Sequence, residues 1–238
     1  MQISLKHGFV FLCTPKCASN AIEDMLRQYV DMDLQGSPRI RHTTVREYDR
    51  YLRPYLVALE PDRPIETIAV IREPLSWLYS WYRFRARSTL RVQRHANSTS
   101  HVSFSEFIEA YLTNPQPEFA RVGSQADWLL GDSDELGIDR LFPYESLPRL
   151  VSYFSDRIEK PLSLRRLNVS PRRIYKSDLF EMVSAVRRHI WARNLRDCAQ
   201  DSTCLPDPQF ALPPRVTAEL RVRLRRDIEL HSQALGKV

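Results

Sequence analysis

Phe9-Val10-Phe11-Leu12-Cys13-Thr14-Pro15-Lys16-Cys17-Ala18-Ser19-Asn20 is the stretch that decides the fold of this chain, and residues 21–26 continue it. Its first four residues form a short apolar run, which predicts a buried strand. After the turn at Thr14-Pro15-Lys16, apolar residues recur at the spacing of a helix, at Ala18, Ile22, Met25 and Leu26. The stretch therefore predicts a strand, a turn that carries a lysine, and a helix.

This strand-turn-helix is typical of an anion-binding site in α/β proteins. The first backbone N–H groups of a helix have no partner within the helix, and the helix dipole favours a negative charge beside them. The glycines of a Walker A loop, GxxxxGK[ST], are missing here. An ordinary first strand and helix with a surface lysine explains the same residues, so this segment alone leaves both interpretations open.

A second strand-turn-helix follows at residues 67–84. Residues 67–71 are apolar enough for a buried parallel strand, and Arg72-Glu73-Pro74 leads into an aromatic-rich helix with Ser80 two turns along. Ligands of open α/β sheets bind at the carboxyl ends of the strands, so Arg72 and Ser80 are candidates for a second anionic group of the same ligand. The alternative for Arg72 is a surface ion pair with Glu73. The aromatic rings of this helix, Trp77, Trp81 and Tyr82, are predicted to be core residues.

The order of elements predicts the fold class. Further core strands are expected at residues 138–144 and 164–167, and two long helices, over about residues 177–196 and 214–235, are expected to close the chain. Strands that alternate with helices predict an α/β fold with a mainly parallel sheet flanked by helices on both faces. The length of 238 residues fits one domain over residues 1–238.

The composition indicates an anionic ligand. The net charge is +6, and arginine, whose planar fork suits phosphate and sulfate, far outnumbers lysine. The basic residues are spread along the chain and form no basic tail, which argues against nucleic acid as a partner. Residues 1–7 are too short and polar for a secretory signal, no apolar run approaches the roughly 20 residues that span a bilayer, and the four cysteines lack zinc-site spacing. We therefore expect a soluble cytoplasmic protein with no metal.

At this point two motifs resemble those of one enzyme family. Residues 14–20 resemble the 5′-phosphosulfate-binding loop of sulfotransferases that use 3′-phosphoadenosine-5′-phosphosulfate (PAPS), and residues 71–82 resemble their 3′-phosphate-binding motif. The order and separation of the two motifs agree with the carbohydrate-type and bacterial sulfotransferases. Residues 141–147 resemble a later strand and Glu-containing turn of that family, and beyond about residue 150 the resemblance thins out. It implies a P-loop-kinase-like α/β fold.

The resemblance also implies roles for individual residues. Lys16 would stabilise the charge that develops on the 5′-phosphate leaving group, and Arg72 and Ser80 would bind the 3′-phosphate. Ser170 and Arg172, or Arg173, lie in a loop that can approach the nucleotide in relatives. The phosphosulfate would be held by the remainder of the loop: Thr14, Pro15, Cys17, Ala18, Ser19 and Asn20. Sulfuryl transfer, like phosphoryl transfer, is governed by positioning and electrostatics, and this scheme requires no metal.

The acceptor hydroxyl needs a general base, and His42 is the best candidate. It precedes a helix that Thr44 and Glu47 are placed to begin with a capping box, and it matches the family's histidine shortly after the first helix. A surface histidine at a helix start is the alternative interpretation, and His95 and His101 are weaker candidates for the base.

Together these observations predict an enzyme that transfers a sulfuryl group from PAPS to a hydroxyl group, with a carbohydrate as the expected acceptor. One alternative is a nucleotide-dependent kinase of similar fold, which the missing Walker A glycines disfavour. The other is a non-catalytic module that binds polyanions or nucleic acid through its basic surface, with strong salt dependence.

Overall fold

The computed structural model describes residues 1–87, 96–165 and 212–236. The chain divides into two compact units. The first comprises Met1–Trp77, Gly123–Val169 and Leu224–Val238, and the second comprises Leu78–Val122 and Ser170–Arg223. The prediction of one domain over residues 1–238 stays a prediction.

The first unit contains a five-stranded sheet in the order β3-β1-β2-β4-β5. Its strands are β1 (Gln2–Ser4), β2 (Phe9–Leu12), β3 (Met32–Asp33), β4 (Glu66–Ile71) and β5 (Arg140–Pro143). The predicted strands at residues 9–12, 67–71 and 138–144 are thus confirmed as β2, β4 and β5. β2 pairs with β4 in parallel, and β4 pairs with β5 in parallel.

The other half of the sheet is antiparallel, and it corrects the predicted fold class. β1 pairs antiparallel with both β2 and β3. The turn between β1 and β2 contains Gly8 at φ 65°, which lets the chain reverse within a few residues. The predicted mainly parallel, P-loop-kinase-like sheet flanked by helices on both faces is therefore wrong, because the sheet is mixed. The error arose at residues 2–4, whose polar Gln2 and Ser4 are fully buried.

Helices of the first unit surround this sheet in sequence. α1 spans Ser19–Leu26 and α2 spans Pro38–Arg41, and α3 (Val45–Glu47) passes through a π-helical turn (Tyr48–Leu52) into α4 (Arg53–Leu59). The predicted capping box is confirmed, since Thr44 and Glu47 exchange side-chain-to-backbone hydrogen bonds of 3.2 and 3.0 Å. Three helices complete the first unit: α7 (Ala126–Leu129), α8 (Leu147–Ile158) and α10 (Arg225–Gly236).

α5 (Pro74–Arg85) begins in the first unit and continues in the second. The described part of the second unit also contains α6 (Phe104–Leu112) and α9 (Pro214–Arg223). Tyr82 is buried and packs against the rings of Phe104 and Phe107, with centroid separations of 5.5 and 5.8 Å. Trp77 is also fully buried, so both residues are core aromatics as predicted.

Three of the predicted elements have a different outcome. Residues 164–165 belong to no strand, and residues 166–167 lie outside the described residues. The helix predicted over about residues 177–196 also lies outside them. The final predicted helix is two helices, α9 and α10, that meet at Leu224.

The core of the first unit joins β1, β2 and β4 to the helices that follow them. Val10, Leu12, Ala69 and Ile71 belong to one buried cluster with residues of α3, α4, α7 and α10. The apolar strand residues that drive this burial are those that identified β2 and β4 in the sequence. Among the described residues, no helix is long and apolar enough to cross a membrane.

Candidate functional site

Two strand ends lie side by side in the first unit. β2 and β4 are adjacent and parallel, with Leu12 opposite Ala69, so both strands end at the same edge of the sheet. Residues 13–20, which we call the first junction, follow β2 and lead into α1. Residues 72–76, the second junction, follow β4 and lead into α5. The sheet therefore brings the two motifs of the sequence to one edge, which is where ligands bind in parallel sheets.

The backbone of the first junction turns through two left-handed residues. Lys16 has φ 65° and Ala18 has φ 60°, a conformation that side chains other than glycine adopt at a cost. The N–H groups of Cys17, Ala18, Ser19 and Asn20 have no hydrogen-bond partner within the described ranges. Turns with left-handed residues direct successive N–H groups into an anion-binding nest, and here they open the N-terminus of α1.

Three hydrogen bonds hold this turn in shape. The Ser19 hydroxyl donates to the Thr14 carbonyl oxygen at 2.9 Å, and the indole N–H of Trp77 donates to the Pro15 carbonyl oxygen at 2.8 Å. The Cys17 thiol donates to Oε1 of Gln125 at 3.4 Å. Because the Ser19 hydroxyl hydrogen is used within the loop, the backbone N–H groups are the donors that remain for an anion. The Thr14 hydroxyl is buried, and it has no partner among the described residues.

The two cysteines of this stretch are buried free thiols. Burial raises the pKa of both the Cys13 and the Cys17 thiol, so neither forms a thiolate near neutral pH. Their place in the loop is structural, as hydrogen-bond donors to Glu23 and Gln125. Neither cysteine is therefore a nucleophile here.

A buried carboxylate supports the start of α1. Glu23 is 1% exposed and accepts hydrogen bonds from the guanidinium of Arg41, one of them from Nε at 3.2 Å. Burial raises the pKa of the Glu23 carboxyl, but hydrogen bonds from Arg41 and Cys13 outweigh burial, and the pKa lies below its ordinary value. Arg41 also donates to the side chain of Asn20. Sequence analysis missed Arg41, which lies beside the predicted base in the chain but had no motif to mark it.

At the second junction Arg72 presents a half-buried guanidinium. It lies over the ring of Tyr144 at 4.5 Å, and its Nε donates to the Ser76 hydroxyl at 2.9 Å. No carboxylate of the described residues pairs with it. The neighbouring Glu73 turns the other way and accepts hydrogen bonds from the N–H groups of Leu75, at 3.0 Å, and Ser76, at 2.6 Å. The alternative of an Arg72–Glu73 surface pair is therefore wrong.

Gln125 joins the two junctions, and sequence analysis also missed it. Its amide nitrogen donates to the Arg72 carbonyl oxygen at 2.7 Å, and its Oε1 accepts from the Arg72 N–H at 2.8 Å. The same Oε1 accepts from Cys17. Asp227 of α10 is 1% exposed and accepts hydrogen bonds from the N–H groups of Gln125 and Ala126, each at 2.9 Å. Burial raises the pKa of the Asp227 carboxyl to about 6.

His42 lies beside the first junction. Its Nδ1 is 2.7 Å from the carbonyl oxygen of Cys13, so Nδ1 carries the hydrogen and Nε2 has a free lone pair in the neutral ring. Nε2 has no hydrogen-bond partner among the residues that the structure describes. Burial lowers the pKa of His42, and the positive charge of Arg41 adds to this, so the ring is neutral at pH 7. A neutral, oriented imidazole is the form that a general base needs.

The other predicted site residues are not joined to these. Ser80 lies on α5 in the part that belongs to the second unit, and its role stays a prediction. Ser170, Arg172 and Arg173 lie outside the described residues, as does His95. His101 is exposed and packs edge-on against Phe119 at 5.6 Å. In the described parts of the chain, no group of three or more His, Cys, Asp or Glu side chains is arranged to hold a metal ion.

Comparison of the chain with models of known protein families, with characterised proteins and with solved structures finds no match. The assignment of function therefore depends on the two junctions and their chemistry.

Proposed function

We propose that this protein is a sulfotransferase that moves a sulfuryl group from PAPS to a hydroxyl acceptor. The observation that carries the proposal is Arg72, a half-buried guanidinium with no carboxylate partner among the described residues, at the same sheet edge as the open N–H groups of residues 17–20. A buried cation without a counter-ion costs free energy, which an anionic ligand recovers. Two anion sites at one edge fit a ligand with two separate anionic groups.

PAPS has two such groups, the 5′-phosphosulfate and the 3′-phosphate. The first junction offers backbone N–H groups and Lys16 to the phosphosulfate, while Arg72 offers a planar fork to the 3′-phosphate. A nucleoside triphosphate would place all its phosphates at one junction and leave Arg72 unpaired. This difference favours PAPS over ATP as the donor.

In the proposed reaction the acceptor oxygen attacks the sulfur atom, and the bond between sulfur and the 5′-phosphate oxygen breaks. The electron pair of that bond leaves on the phosphate, where Lys16 and the N–H groups of the first junction stabilise it. Nε2 of His42 takes the proton of the acceptor hydroxyl. The hydrogen bond from Nδ1 to Cys13 keeps the ring oriented and Nε2 free for this step.

The acceptor and the location are further parts of the proposal. A carbohydrate hydroxyl is the acceptor that the family resemblance implies. A cytoplasmic location is supported by Cys13 and Cys17, which are both free thiols, as in a reducing compartment.

The test is the binding of 3′-phosphoadenosine-5′-phosphate (PAP), AMP and ATP, measured by isothermal titration calorimetry at one salt concentration. We expect PAP to bind at least about tenfold more tightly than AMP, because only PAP reaches Arg72. An Arg72→Ala variant should lose this preference, whereas Arg50→Ala, which removes an exposed arginine of the π-helical turn, should keep it. Equal affinity of the wild-type protein for PAP and AMP would contradict the proposal.

Two other results would favour the alternatives. Tight binding of ATP with no preference for PAP would indicate a kinase. Binding of long polyanions that falls steeply with salt, again without a preference for the 3′-phosphate, would indicate a non-catalytic module. Once PAP binding is established, a panel of sugar and small-molecule acceptors with labelled PAPS identifies the acceptor.

A further inference from the structure

Gln125 is fully buried between the two junctions, and every polar group of its side chain is used there. We propose that Gln125, held by Asp227, is a positioning residue that sets the separation between the first junction and Arg72, and thereby the preference for a nucleotide phosphorylated at both 5′ and 3′ positions. This inference rests on the proposed function of the two junctions.

The contact with Arg72 replaces a missing strand partner. Arg72 lies one residue beyond the ladder between β4 and β5, whose last pair is Ile71 and Pro143. Gln125 supplies both a donor and an acceptor to the Arg72 peptide, at 2.7 and 2.8 Å. Two hydrogen bonds to one peptide group fix both its position and its orientation. The guanidinium of Arg72 therefore starts from a rigid backbone.

The contact with Cys17 ties the same amide to the other junction. Oε1 of Gln125 accepts from the Arg72 N–H and from the Cys17 thiol together. Cys17 is buried between the two left-handed residues of the loop, Lys16 and Ala18. One oxygen atom is therefore shared by both junctions, and moving either junction would strain or break a buried hydrogen bond.

Asp227 fixes the brace itself. Its two carboxylate oxygens accept from the N–H groups of Gln125 and Ala126, where α7 begins. Because Asp227 is on α10, the backbone of Gln125 is tied to a different helix from the one it leads into. The side chain of Gln125 then has little freedom to follow a displaced Arg72.

A fixed separation matters only to a ligand that uses both junctions. A preorganised pair of sites gives affinity to a bisphosphorylated nucleotide because the protein spends no free energy on bringing the sites into register. A nucleotide with a 5′-phosphate alone uses one junction and gains nothing from the brace. The brace therefore acts on selectivity, which a merely structural residue would not change.

The experiment is calorimetric measurement of the dissociation constants of PAP and AMP for the wild-type protein and a Gln125→Glu variant. This change keeps the size and the acceptor but replaces the amide donor that contacts the Arg72 carbonyl oxygen. We expect the ratio of the AMP and PAP dissociation constants to fall by about tenfold, with AMP affinity unchanged. The matched control is Gln116→Glu, because Gln116 also donates its amide to a backbone carbonyl oxygen, that of Tyr111 at 2.6 Å. It should keep the wild-type ratio.

Two further variants keep the test decisive if Gln125→Glu does not fold. Cys17→Ala removes only the link to the loop, and Asp227→Asn removes one of the two acceptors that hold Gln125. Both should lower the same ratio by a smaller factor. The inference is overturned if the folded variants keep the wild-type ratio, or if they weaken AMP and PAP binding equally. A wild-type protein without preference for PAP would instead overturn the proposed function, and the inference with it.

Discussion

The two junctions occupy neighbouring strand ends, yet they offer an anion different parts of the protein. At the first junction the backbone is open, since the N–H groups of residues 17–20 have no partner among the described residues. At the second junction the helix start is closed, since Glu73 accepts from the N–H groups of Leu75 and Ser76. What remains there is the side chain of Arg72. The same strand-turn-helix pattern thus produces a backbone site in one place and a side-chain site in the other.

This difference has a physical cause in the capping residue. Ala18 precedes α1 and has no side-chain acceptor, so the helix N-terminus stays available to a ligand. Glu73 precedes α5 and satisfies the N-terminus with its own carboxylate. A strained turn without a cap is expensive for folding and useful for binding, and strain of this kind clusters at functional sites.

The largest expected effect comes from Lys16, the cation of the first junction. A Lys16→Ala variant should lower sulfuryl transfer about 100-fold to 1,000-fold, because a positioned charge at the leaving group is lost. The measurement is the rate of transfer from labelled PAPS, with thermal unfolding to verify that the variant folds. Lys6→Ala, at an exposed position before β2, is the control and should keep the wild-type rate. Full activity of Lys16→Ala would remove the lysine from the mechanism.

His42 gives the next effect, through pH. Its pKa is lowered, and the neutral ring is the active form, so activity should be level above pH 6.5 and fall only at more acidic pH. A His42→Ala variant should lose about 100-fold to 10,000-fold in turnover and also lose this acid limb. The profile of kcat/KM against pH tests both statements. The exposed His101, changed to Ala, should leave the profile as it is; if it alters the acid limb, His42 is not the base.

Replacing Glu73 makes the two junctions more alike. A Glu73→Ser variant keeps a capping side chain but removes a negative charge next to Arg72, so PAP affinity should rise severalfold at low salt and less at high salt. Stability should change by less than about 0.5 kcal/mol, because Ser is a good N-cap residue. Glu73→Gln, which removes the charge and keeps the size, is the matched variant. If neither change affects PAP binding, the charge at the second junction has no part in anion recognition.

The smallest expected effect tests the strain at Ala18. An Ala18→Gly variant relieves a left-handed alanine and should gain about 0.5–1 kcal/mol in free energy of unfolding, since the left-handed penalty exceeds the entropic cost of glycine. Urea denaturation measures it. Ala21→Gly, within α1, is the control and should lose about 1 kcal/mol. A loss of stability in Ala18→Gly would mean that the loop is not strained at this position.

Sequence analysis located both junctions because local signals specify them. The apolar runs of β2 and β4 predict buried strands wherever they lie in the fold, and Thr44 with Glu47 forms the predicted capping box from residues only three apart. Lys16, Arg72 and His42 follow from their positions next to these elements. Their proximity to the sheet edge depends on the pairing of β2 with β4, which the alternating pattern of strands and helices predicted.

The sheet's antiparallel half and the supports of the site depend on long-range contacts. Gln2 and Ser4 look like surface residues in the sequence, yet both are buried because β1 pairs with strands on both sides. Gln125 contacts Arg72 across 53 residues of sequence, and Asp227 contacts Gln125 across 102. No periodicity or motif marks a residue whose role is to satisfy a distant peptide group.

The sequence by itself determined where the strands end and which charged residues stand there, because apolar runs and capping residues act over a few neighbours. Only the tertiary structure decided the direction of β1, the burial of Glu23 beneath Arg41, and the bond of Gln125 to both junctions. Buried polar groups must find partners when water is excluded, and those partners can come from any part of the chain. The two junctions are therefore written locally, and the link between them is made by the fold.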